Sequence, residues 1–276
     1  MSTLGRIYLA RSRRLRILLD WFGEWGIAED IAAIMRCPDD LLGRLFVMKR
    51  FLLSSFCLAM ASVSMALTVG FETAEGFSVG TLDGQQGWNA STKYNVVSGF
   101  AHSGNQSVKW DGDTTSNAWV DPPAPFTQET ILSVWVFLEA NTSANRVYGL
   151  QMWNGFNTGP NVTINSNGEV RGGTANAGSG SVIGNFANAT NRWVFMSLTY
   201  TPGTTNATAN VDGNIFNIAG VNSNNQITDG DLFSGEISGL TSGVAYFDDY
   251  SIEAVPEPAT LALLGLGALA LRRRKK

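Results

Sequence analysis

The chain has 276 residues, with 19 Lys or Arg, 23 Asp or Glu and a formal net charge of −4. Residues 67–254 hold only five of the cations but 16 of the carboxylates, a net of −11, which excludes nucleic acid as a partner because phosphate binding needs clustered cations. Both cysteines, Cys37 and Cys57, lie outside that segment. No disulfide can staple it, yet it is long enough to bury one core unaided.

Residues 1–47 come first. Arg11–Leu19 and Trp21–Ile34 could be read there as a cytosolic amphipathic or regulatory helix. The adopted reading is instead a mis-assigned upstream extension, because Met48 opens a secretory signal peptide of its own. Met48-Lys49-Arg50 supplies the basic end, Phe51–Met60 the apolar stretch, and Ser64 and Ala66 the small residues at −3 and −1. Cleavage is expected between Ala66 and Leu67, after passage through the Sec translocon. Residues 48–66 are thus the signal segment, expected to be helical.

From Leu67 to Ala254 the patterning is that of an all-β domain. Strand signals alternate with Gly, Asn, Asp and Ser clusters, and helical periodicity does not persist beyond a turn or two. In Ile131–Glu139, Leu132, Val134, Val136 and Leu138 share one face, expected to be core, while Ser133, Trp135 and Phe137 share the other. Trp193–Tyr200 repeats the layout, with Val194, Met196, Leu198 and Tyr200 opposite Trp193 and Phe195. Asn167-Gly168 and Asp212-Gly213 read as hairpin turns, and Gly172–Gly180 as a flexible loop. Many short strands joined by tight turns predict an antiparallel β-sandwich or a barrel.

The run Asn191–Asn214, NRWVFMSLTYTPGTTNATANVDGN, resembles a signature of laminin-G-like and concanavalin A-like jelly rolls. Phe71-Glu72 with Gly87-Trp88, the strand start Gly104–Lys109, and Phe247–Ile252 are similar to segments of secreted jelly-roll modules of the carbohydrate-binding kind. The resemblance implies a jelly-roll sandwich over residues 67–254. It also implies a structural calcium ion between the first and last strands, where Glu72 and Asp248 occupy the corresponding places; solvated edge carboxylates that discourage aggregation are the alternative. Asp249 would then point to the opposite face of a regular strand.

Chemistry on this segment must rest on carboxylates, since it has one histidine, His102, and no cysteine. The E-x-D-x-x-E strand of concanavalin A-like glucanases is absent. Asp111-Gly112-Asp113 and Asp229-Gly230-Asp231 are the closest pairs, each with a glycine that suits a turn better than a catalytic strand. No enzymatic activity is expected, and His102 reads as a loop histidine. Sugar binding needs aromatic faces with amides beside them. Trp153, with Asn154 and Asn157, is the leading candidate, followed by Trp88, Trp135 and Trp193. For the last two, packing in the core is the alternative.

The chain closes on VPEPATLALLGLGALALRRRKK, residues 255–276. The apolar run Ala259–Leu271 falls short of the roughly 20 residues that span a bilayer, and the basic end belongs on the cytoplasmic side. This order of parts resembles the PEP-CTERM sorting signal of Gram-negative bacteria, carried by Pro256, Glu257 and Pro258. The resemblance implies a short hydrophobic helix, transient inner-membrane retention, recognition by an exosortase, and delivery to the cell surface or extracellular matrix. The expectation for the whole is a non-enzymatic exported protein that contacts extracellular polysaccharide. A purely structural envelope component and a carbohydrate-active hydrolase or lyase are the alternatives.

Overall fold

The computed structural model describes residues 66–174, 180–239 and 241–255. The signal segment before Ala66, the upstream extension and the sorting residues Pro256, Glu257 and Pro258 lie outside the described residues.

Among the described residues sixteen strands run in chain order: β1 (Ala66–Val69), β2 (Gly80–Thr81), β3 (Trp88–Ala90), β4 (Tyr94–Ser98), β5 (Gln106–Gly112), β6 (Ser116–Val120), β7 (Thr130–Leu138), β8 (Arg146–Asn154), β9 (Asn157–Ile164), β10 (Glu169–Gly173), β11 (Ser181–Asn185), β12 (Trp193–Tyr200), β13 (Asn206–Val211), β14 (Asn214–Ala219), β15 (Asp229–Glu236) and β16 (Gly243–Ala254). The one helical element among the described residues is a 3-10 turn, Thr73–Glu75. The strands form two antiparallel sheets packed as a jelly-roll sandwich. One has nine strands, in the order β14-β13-β12-β7-β16-β5-β4-β2, with β1 also on β16; the other has the order β11-β10-β9-β8-β15-β6-β3.

Alternation sets the faces as expected. Leu132, Val134, Val136 and Leu138 of β7 and Val194, Met196, Leu198 and Tyr200 of β12 are fully buried in the core. They meet Tyr148, Leu150 and Met152 of β8, Val162 and Ile164 of β9, and Leu232 of β15 across the sandwich. Each such aliphatic side chain contributes about 1.5–3 kcal/mol by leaving water. Asp212 (φ 52°) and Gly213 (φ 85°) both adopt the left-handed backbone of the β13–β14 hairpin.

Two expectations are corrected. Gly172 and Gly173 belong to β10 rather than to a loop, because a Cβ at Gly172 would press on Ile218 and Ile183 where the sheet edges meet. Asp229-Gly230-Asp231 is the start of β15 rather than a turn. Gly230 faces the core, where a Cβ would lie 2.8 Å from Tyr250 Oη and 2.9 Å from Leu132 Cδ1. The glycine is there for close packing between the sheets, and the flanking aspartates therefore share the outer face.

Strand β16 changes partner midway. Residues 243–247 pair with β5 and residues 250–253 with β1, with a bulge between at Asp248 and Asp249. Asp249 takes a left-handed backbone (φ 49°), so the strand is not regular there and parity resets: Phe247 faces the core before the bulge, Tyr250 and Ile252 after it. Leu67, the expected first residue after signal cleavage, pairs with Ile252.

Candidate functional site

Directly opposed residues of an antiparallel pair project to the same face. The outer face of the seven-stranded sheet can therefore be read as rows. One row runs Asn89, Trp119, Asp231, Gln151, Asn161 and Gly173 across β3, β6, β15, β8, β9 and β10. The next runs Asn117, Phe233, Gly149, Thr163, Arg171 and Val182. Asp229 and Trp153 face each other in a third.

These rows make a polar bed turned away from the core. Asp231 is 1% exposed, Gln151 3%, Asn161 2% and Thr163 1%, while Trp119, Asn117, Trp153, Asp229 and Arg171 are half-buried around them. Asn117 Nδ2 donates to Asp231 Oδ2 at 2.7 Å, and Trp153 Nε1 donates to Gln151 Oε1 at 3.2 Å. Four buried atoms on this face have no hydrogen-bond partner: Asp231 Oδ1, Asp229 Oδ1, Thr163 Oγ1 and Arg171 Nε. Orphaned buried polar atoms are costly and uncommon, so several on one face are what a site awaiting a polar ligand presents.

The electrostatics agree. Burial, with repulsion from Asp121, pushes the Asp229 carboxyl up to about 7, against an opposing hydrogen bond from Thr228. Burial pushes Asp231 well above the carboxylate range; the Asn117 hydrogen bond, and more weakly the Trp153 indole N–H, oppose this, while Asp229 and Asp121 add to it. Such a bed can meet hydroxyl groups as donor or acceptor, with Trp119 and Trp153 as stacking surfaces at its rim.

Of the residues expected from sequence, Trp153 lies at this site. Asn154 is engaged beside it, donating to Asn225 at 3.0 Å and accepting from Gln226 at 3.2 Å, and Asn157 is exposed at the start of β9. Phe156, at the tip of the β8–β9 hairpin, is fully exposed. Trp88 is corrected from ligand face to core: it is 1% exposed and packs against Phe71 and Tyr250.

Trp135 and Trp193 lie on the outer face of the other sheet, under the loop that follows β4. The His102 ring stacks on Trp135 at 3.9 Å with a 12° interplanar angle, and Phe100 stacks on Trp193 at 5.7 Å. Their faces are therefore occupied by the chain itself. His102 Nδ1 lies 2.7 Å from Asp249 Oδ2, and Ser103 Oγ donates to Asp249 Oδ1 at 2.6 Å. His102 is thus an exposed, hydrogen-bonded loop histidine that helps to fasten a clasp, in keeping with the sequence reading.

Glu72 and Asp248 fasten the same loop. Glu72 Oε1 accepts from the backbone N–H groups of Asn105 and Gln106 at 2.7 and 2.8 Å, and Asp248 Oδ2 from those of His102 and Ser103 at 2.8 and 3.0 Å. Burial lifts Asp248 to about 6 despite these donors. Carboxylate oxygens suit calcium, but no group of three or more His, Cys, Asp or Glu among the described residues is placed to hold a metal ion. An ion between these two residues would have to take most of its six to eight oxygens from backbone and water. On the calcium reading, the protein is expected to melt several degrees higher in calcium than in EGTA, with Asp248→Asn erasing the difference. Coincident melting curves would end that reading.

Sequence reasoning missed Gln151, Thr163 and Trp119, and it set Asp229 and Asp231 aside as a turn. The signal available was the alternation of β15 itself, with Asp229, Asp231 and Phe233 on one parity and Gly230, Leu232 and Ser234 on the other.

Residues 254–276 match the PEP-CTERM protein-sorting motif. The chain therefore carries the mark of an exported protein directed to the cell surface by an exosortase. No curated protein matches the chain. Solved structures similar to it include the cellulose-induced protein Cip1, at 15% identity over 68% of this chain and 97% of that one, with a TM-score of 0.49. Another is an alginate lyase from a Chlorella virus, at 13% identity over 61% and 93%, with a TM-score of 0.44. A third is the binding domain of botulinum neurotoxin serotype D, at 12% identity over 69% and 48%, with a TM-score of 0.45.

Proposed function

We propose that this exported protein contacts extracellular polysaccharide through the outer face of its seven-stranded sheet, without turning the polymer over. Signal cleavage after Ala66, transient retention in the inner membrane through the apolar tail, and exosortase processing at Pro256-Glu257-Pro258 belong to the same proposal. The observation that carries it is Asp231: a carboxyl 1% exposed, turned away from the core, with one oxygen unpartnered and tryptophans at the rim of the surrounding bed. A hydroxyl-rich chain supplies the missing hydrogen bonds and the apolar ring faces that tryptophan stacks on.

Glycan-array binding by the exported protein tests this. Trp119→Ala and Trp153→Ala are each expected to weaken binding at least tenfold while leaving the melting temperature within a few degrees, as expected for half-buried surface positions. Unchanged binding in both variants would overturn the assignment of the face.

A second reading, a carbohydrate-active hydrolase, draws on the Asp229 and Asp231 pair. Two residues apart on β15, the two carboxyls share the outer face and lie close enough to repel one another, and a pair of neighbouring carboxyls is what a glycosidase requires. Release of reducing ends from a bound polysaccharide, lost in Asp229→Asn, would favour it. A purely structural role predicts no glycan binding at all.

A further inference from the structure

We propose that the outer face of the seven-stranded sheet selects neutral, hydroxyl-rich glycans and rejects chains bearing uronate or sulfate groups. This rests on the polysaccharide reading above and adds the class of ligand.

The argument is one of charge placement. Asp121, which follows β6, and Asp229 and Asp231 on β15 lie close enough to repel one another. None of the three has a cationic partner among the described residues. The cation of this face is Arg171, on β10, three strand spacings from β15 or about 14 Å away. Its Nη1 is already engaged by Glu169 Oε2 at 3.3 Å, so the pair contributes little net charge.

An incoming sugar hydroxyl can donate to an ionised carboxylate or accept from a protonated one, and so can meet half-buried Asp229 in either state. A uronate or sulfate can only accept, and it would enter beside whichever of the three acids is ionised. Around half-buried Asp229 water screens that repulsion poorly, whereas Asp121 is exposed and its share is more readily screened by salt. A face built for acidic polymers would set arginines beside Trp119 and Trp153, where they bind carboxylate in pairs of hydrogen bonds, whereas Arg171 stands two or more strands from either.

The test compares the exported protein on soluble neutral glucan and mannan with alginate and polygalacturonate, at pH 8 and low salt. Binding to at least one neutral polymer is expected to be at least tenfold tighter than to either acidic one. The Asp121→Asn/Asp229→Asn double variant, and Asp229→Asn alone if the double variant does not fold, is expected to narrow that gap at least threefold. Raised salt should narrow it in the native protein as well. Equal or tighter binding of the acidic polymers would overturn the selectivity while leaving the polysaccharide site standing. Binding to none of the four would remove both.

Discussion

Replacing Asp231 with asparagine is expected to make the protein more stable and, on the proposed function, a weaker binder of polysaccharide. Asn117 can still donate to the side-chain oxygen at this position, so the local hydrogen bond survives. What disappears is an ionisable group held fully inside the protein. Burial raises its folded-state pKa, and for a carboxyl the sign is clear: any stabilising contribution is present below the unfolded value near 3.8 and is lost as pH rises through the raised folded value.

Asp229, pushed up to about 7, and Asp248, pushed up to about 6, act in the same direction. The native protein should therefore melt lower at pH 8 than at pH 5, the reverse of a protein stabilised by ion-paired carboxylates. Asp231→Asn should flatten that slope and raise stability at pH 8 by on the order of 2 kcal/mol, or about 6 °C. Polysaccharide binding should fall at least tenfold, because the amide cannot reproduce a carboxyl that meets hydroxyls in either protonation state. Scanning calorimetry across pH, alongside binding, checks both halves. A less stable variant that binds normally would show Asp231 to be scaffold.

Gly149→Ala is expected to be the more damaging change, although it adds only a methyl group. Gly149 sits on β8 between Phe233 and Thr163, and a Cβ there would run into the carbonyl oxygen of Val162 and come within 2.8 Å of the Thr163 Cα. Both are backbone atoms of β9, so no rotamer relieves the overlap and the two strands would have to separate. A cost above about 4 kcal/mol follows, enough to leave little folded protein. Gly155, at the β8–β9 hairpin, is the control, since nothing lies within 4 Å of a Cβ placed there. Its alanine variant should lose about 1 kcal/mol through backbone conformation alone. Similar denaturation midpoints for the two variants would contradict the close approach of β8 to β9.

Much of the fold was legible because its causes are local. The alternation of Leu132, Val134, Val136 and Leu138 assigns a core face, and Asp212-Gly213 suits the left-handed geometry of a tight turn. The candidate site was less legible. Trp153 could be picked out as an aromatic beside amides, but Trp88 has the same local appearance and is core. Nothing near Trp135 or Trp193 in the chain announces that Phe100 and His102, from a distant loop, cover their rings. Asp229-Gly230-Asp231 misled for a related reason: glycine there answers to Tyr250 and Leu132, residues remote in sequence.

By itself, the sequence determined the export address, the strand class and which side of β7 and β12 faces inward, since each follows from composition or from a period of two along a single segment. Tertiary structure alone decided which polar residues share the candidate face. Asp231, Gln151, Asn161 and Thr163 belong to four strands, and only the register of β15, β8 and β9 sets them in neighbouring rows. Their burial, and the raised pKa values of the two aspartates on β15, arise from neighbours that the pairing of strands brings together.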